Sequence, residues 1–112
     1  MRALKTSDIF NFARVIKASG IREELVNYLR VISAQDDIER VGVNTILMII
    51  EALCEKKAER AIYEALAPVF ETTPEAIENM APTELFALLK KMSEENNLTD
   101  FFGSLLGTAG KN

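Results

Sequence analysis

The sequence contains no histidine and no tryptophan, and only one cysteine. Without histidine, the commonest general base and metal ligand is missing. A lone cysteine can build neither an internal disulfide nor a zinc site of ordinary composition, and Cys54 has no imidazole to activate it as a nucleophile. Its neighbours place Cys54 on a helix, where a small buried hydrophobe is the expectation, in keeping with a reducing compartment. The five glycines are scattered and follow no strand, so no phosphate-binding loop exists. Adjacent acids at Asp36-Asp37 and Glu94-Glu95 stand in polar stretches and read as loop solvation rather than as catalytic pairs. No apolar run reaches the ~20 residues of a membrane span. Met1 to Lys5 leads into an amphipathic helix, not into a secretory signal. These absences predict a protein that is not an enzyme and takes no metal or cofactor.

What is present is a globular balance. Of 112 residues, 48% are hydrophobic and 27% charged, enough for one domain with its own core. The stretch from Val43 to Leu53, VNTILMIIEAL, organises the rest. At about 100° per residue, Asn44, Met48, Glu51 and Glu55 form one narrow polar stripe, and the remainder of the cylinder is apolar. Such a helix belongs at the centre of a fold. Leu47, Ile50 and Leu53 are expected in the core, with Ile16 and Leu29. No strand pattern appears. The fold class is therefore all-α: a compact single-domain bundle of about five to seven helices around a buried central helix, with a helical domain over 1–106 and a flexible C-terminal tail over 107–112.

The boundaries follow from capping chemistry. Thr6 or Ser7 can cap a first helix, with Asp8 at its positive end and Ile9, Phe12, Ala13 and Ile16 on its apolar face, widened by Phe10 and Val15. Gly20 is placed to end it in a left-handed conformation. A second helix carries Ile21, Leu25, Tyr28, Leu29 and Ile32, paired antiparallel or at an angle with the first. Ser33 to Gly42 is a polar linker with room for a helical turn near Ile38. The central helix follows, with a break or bend expected at Glu55–Lys57 before a one-sided helix through Phe70. Pro68 should distort its last turn. Thr72-Thr73-Pro74-Glu75 starts a short helix, Ala81-Pro82 another, and Asn97 can cap a last one over Leu98 to Leu106.

Charge is uneven. Residues 1–30 carry a net +3, residues 31–70 −3 and residues 71–100 −5. An acidic total argues against nucleic acid as partner. A helix-turn-helix reading around Ser19-Gly20 fails because Glu23 and Glu24 would meet the phosphates. Unlike ends could draw copies together head to tail. The apolar side chains available to a partner are Met80, Phe86 and Met92, and the tail residues Phe101, Phe102, Leu105 and Leu106. The tail rings either close over the core or dock onto another copy or a client helix.

Several segments, in order, resemble the tail assembly chaperones of long-tailed bacteriophages and prophages. They are R-A-L-K-T-S-D-I-F at Arg2 to Phe10, V-G-V-N-T-I-L-M-I-I at Val41 to Ile50, T-P-E-A-I-E-N-M at Thr73 to Met80, the E-L-F-A-L-L-K-K helix, and D-F-F at Asp100 to Phe102. The resemblance spans nearly the whole chain. It implies a helical fold without catalysis that binds the tape measure protein and keeps it soluble, as multiple copies, in the host cytoplasm and not in the mature virion. It also implies a −1 frameshifted longer product that recruits tail tube protein. Gly110-Lys111-Asn112 can be encoded with a slippery heptamer, and Gly107 to Lys111 suits a linker to an added domain. The family has no catalytic residues to carry over. Without the resemblance, a small helical adaptor or transcription-regulator-like binding protein fits the same residues.

Overall fold

The central helix begins well before its apolar run. In the computed structural model, which describes residues 1–31 and 36–107, Asp37 is extended and its Oδ1 accepts the N–H groups of Glu39 at 3.1 Å and Arg40 at 3.3 Å. These bonds satisfy two of the free donors of a helix start. The polar stretch read as linker thus supplies the first turn of the helix. The described residues form α1 (Thr6–Ser19), α2 (Arg22–Arg30), α3 (Ile38–Glu55), α4 (Arg60–Phe70), α5 (Pro74–Glu78), α6 (Pro82–Glu95) and α7 (Leu98–Leu106), and no strand. The fold is all-α in one globule of 40 × 28 × 25 Å. None of these helices is long and apolar enough to cross a membrane. Ile32, at the end of the second helical pattern, and the residues from Thr108 on, where the flexible tail and the frameshift are expected, lie outside the described residues.

Helix α3 packs against α1, α6 and α7, while α4 packs against α1 and α5, and α2 against α7 and α1. The fully enclosed side chains include Phe12, Leu25, Ile46, Ile49, Leu53, Leu89 and Phe102. Each contributes about 1.5–3 kcal/mol of burial. Gly42 sets the approach of α3 to the α6–α7 junction: a Cβ there would meet Leu98 Cβ and Ser93 Oγ, each at 2.9 Å. Ser93 Oγ instead donates to the Glu39 carbonyl at 2.9 Å.

Most ends follow their local signals. Gly20 closes α1 at φ 71°. Thr73 Oγ1 accepts from Ala76 N–H at 3.1 Å, and Asn97 Oδ1 from Asp100 N–H at 3.0 Å. The chain breaks between α3 and α4, with Lys57 at φ 53°. Pro68 is held inside the last turn of α4, which ends on Glu71 in a left-handed conformation.

Four expectations are corrected. Leu47 and Ile50 are half-buried, because α3 has neighbours on only part of its circumference. Cys54 shares that outward heading and is exposed, not a core residue. On α1 the inward face is Phe12, Val15, Ile16 and Ser19, so Ile9, Phe10 and Ala13 point out; Phe10 is 62% exposed. Finally, neither Thr6 nor Ser7 caps α1. The cap position is Lys5, and Asp8 does the capping from inside the helix.

Asp8 is fully buried. Its Oδ2 accepts Lys5 N–H at 2.7 Å and Arg2 Nη1 at 2.8 Å, and its Oδ1 accepts Arg2 Nη2 at 3.0 Å. Burial penalises the charge, but the Arg2 fork, the Lys5 N–H and the nearby positive charge outweigh it, so the Asp8 pKa lies below the ordinary carboxylate value. The lead-in is also fastened by Arg2 N–H to the Val69 carbonyl at 3.0 Å and by Leu4 N–H to Asn96 Oδ1 at 3.2 Å.

Candidate functional site

The candidate side chains do not form one surface. Helix α7 is short, and a nine-residue helix is weak in isolation, so it is held by what it buries. Phe102 and Leu106 face inward. Phe12, Phe101 and Phe102 meet edge to face, with centroids 5.4–5.7 Å apart and planes crossed at 80–90°. That geometry sets positive ring edges on negative faces. Arg22 Nη2 reaches the Leu106 carbonyl at 3.2 Å, covering one free acceptor at the helix end. The tail therefore closes the core, and only Phe101 and Leu105 keep partly open edges.

Helix α6 divides similarly. Met92 is wholly buried beside Leu89, which removes it as a contact in this conformation. Phe86 turns out, 50% exposed, and lines a shallow hollow with Asp37, Arg40, Val43 and Lys90. Met80, just after α5, is half-buried against the core. Of the seven candidates, Phe86 is the most open, Met80, Phe101 and Leu105 are half open, and Met92, Phe102 and Leu106 are enclosed.

The outer face of α3 carries surface that the sequence reading assigned to the core. Val43 and Leu47 are half exposed and stand outside the packed cluster, and Cys54 continues their line. On their other side Tyr28 forms a hollow with Asn44, Leu47, Met48 and Glu51, and its hydroxyl accepts Asn44 Nδ2 at 3.3 Å. One signal pointed here: a chain of this length has too few helices to cover an 18-residue helix, about 27 Å long, on every side.

Arg60 bridges Glu64 at 3.5 Å and Glu75 at 2.9 Å on open surface. The bond from Arg60 lowers the Glu75 pKa, and the bond from the N-terminal amine at 2.9 Å lowers that of Glu71. Both carboxylates are exposed, so each pair carries small energetic weight. Among the described residues no three acidic, cysteine or histidine side chains converge as a metal site would require. The chain offers apolar contact surface and solvated charge. No known protein family, curated protein or solved structure shows a significant match to the chain.

Proposed function

We propose that the protein is a tail assembly chaperone of a long-tailed bacteriophage or prophage. In this role it binds the tape measure protein, keeps it soluble and acts as multiple copies. The observation that carries this reading is the ordered series of chaperone-like segments along the sequence. Each falls on its own part of the fold: the lead-in and α1, then α3, α5, α6 and the start of α7. A helical globule with separate apolar patches suits a long helical client, which can be held by groove contacts along its apolar stripe. The client contacts assigned to the tail narrow to the open edges of Phe101 and Leu105. A frameshifted longer product that engages tail tube protein belongs to the same proposal.

Coexpression with the tape measure protein is the test. The chaperone should move the client into the soluble fraction and remain with it in a pull-down. Phe101→Ala, which trims the ring without setting a charge on Phe12 and Phe102, and Leu105→Asp should each weaken capture several-fold with helix content retained. A client equally insoluble with and without the protein rejects the proposal. Undiminished capture by both variants would remove the tail edge from it.

A further inference from the structure

Helix α3 bears a face that the other described helices cover only in part: Val43 and Leu47 are half-buried outside the packed cluster, and Ile50 is half-buried against it. Placed at 100° per residue, Arg40, Val43, Leu47, Ile50, Glu51 and Cys54 share one side, opposite the buried Val41, Thr45, Ile49 and Ala52. The middle of this strip is apolar. Phe86 of α6 borders it beside Val43, and Tyr28 of α2 borders it beside Leu47 and Glu51. An apolar strip with polar margins is the make-up of a contact surface.

We propose that this face pairs with the same face of a second copy, the two α3 helices running antiparallel about a two-fold axis at Leu47. The order of charges along the strip selects this occupant. Arg40 stands at one end, bordering the hollows on both margins, and Glu51 and Glu55 stand at the other, toward the Tyr28 margin. A two-fold axis across the helix reverses its direction and sets each margin against its own counterpart. Arg40 of each copy then faces the other copy's acids. With Leu47 at the centre, residue 40 lies opposite residue 54, about 4.5 Å along the axis from Glu51 and about 1.5 Å from Glu55. On the opposite margin Phe86, level with Val43, lies over the second copy's Ile50, a protruding ring against a half-buried floor. Parallel pairing would instead bring Arg40 level with Arg40 and Glu51 level with Glu51 on opposite margins, and leave neither facing an opposite charge.

This pairing needs no client, so the purified protein tests it apart from the chaperone reading. Sedimentation over a wide concentration range should show a monomer–dimer equilibrium that stops at two. Leu47→Glu puts two like charges at the axis and should shift the dissociation constant at least tenfold toward monomer, with helix content unchanged and with the same melting temperature at concentrations too low for the wild type to pair. Register is read independently by single cysteines: Leu47→Cys and Val43→Cys, each with Cys54→Ser, and the natural Cys54. A disulfide needs α-carbons about 4.4–6.8 Å apart. Position 47 meets itself, whereas the two residues 43 are offset by about 12 Å and the two Cys54 by about 21 Å along the helix. Oxidation should therefore link the dimer most readily at 47. Equal linking at all three positions, a protein that stays monomeric at high concentration, or dimers untouched by Leu47→Glu would each overturn the proposal. So would salt-sensitive growth beyond two, which marks head-to-tail assembly. Loss of a coexpressed client from Leu47→Glu in an otherwise monomeric protein would assign the face to the client instead.

Discussion

Helices α7 and α3 are both rich in large apolar residues, and they use them in opposite ways. Helix α7 has nine residues and sinks Phe102 and Leu106 into the core, with Phe101 packed across Phe12. Helix α3 has twice the length and leaves Val43, Leu47 and Cys54 partly or fully open. The difference follows from length and neighbours. A helix of two to three turns gains nothing from being formed unless it is packed, so its rings must be inside. A helix of five turns is held by one face, and the other is free for a different use. Apolar content does not tell the two apart.

The comparison is broken most directly at the enclosed rings. Phe102→Ala should cost about 3–5 kcal/mol in chemical denaturation, whereas Leu47→Ala in the monomer should cost less than about 1 kcal/mol. Equal losses would remove the distinction. Asp8→Ala comes next, at about 3 kcal/mol, because it strands the Arg2 fork and the Lys5 N–H together; Arg2 is partly exposed, which places the loss at the low end for a buried pair. Gly42→Ala should cost about 1–3 kcal/mol by forcing α3 away from Leu98 and Ser93, a strain on the buried side of the same helix.

Acidity gives the finest resolution. The folded-state pKa of Asp8 is depressed, so its stabilisation is complete above the ordinary carboxylate pKa. It fades as pH falls below that value and is lost through the lower folded one. Glu71 and Glu75 act in the same direction but are exposed. Wild-type stability should therefore fall toward acid, and Asp8→Asn should flatten part of that fall. A parallel acid limb in the variant would show that the Arg2–Asp8 pair is not its source.

What could be read from the residues was what is local. Gly20, Thr73-Pro74 and Asn97 mark helix ends because their own backbone or side chain does the capping, within four residues. The class of fold follows from the helical spacing. What could not be read depends on partners far along the chain. Asp8 looked like a dipole residue because its partner, Arg2, lies in an extended lead-in with no periodic signal. Ile9 and Phe10 looked like core because the side of α1 that faces inward is chosen by α3 and α4. The candidate site is the least legible part: Phe102, Leu106 and Met92 have the apolar character of contacts and are enclosed, closure over the core being the tail's other alternative, while Leu47 has the character of a core residue and is only half-buried. Hydrophobicity alone does not say whether the covering surface comes from the same chain.

The packing of Phe102 on Phe12 also has a consequence for biosynthesis. These rings are 90 residues apart, and α7 follows the other described helices in the order of translation. Until the segment from Leu98 to Leu106 has left the ribosome, the inner side of α1 has no ring to meet. The earlier helices can form and collapse beforehand, but the final packed state waits for the last of them. Ribosome stalling ahead of Leu98 would hold the nascent chain in a partly open, protease-sensitive form. Release of α7 would then complete folding in a single late step.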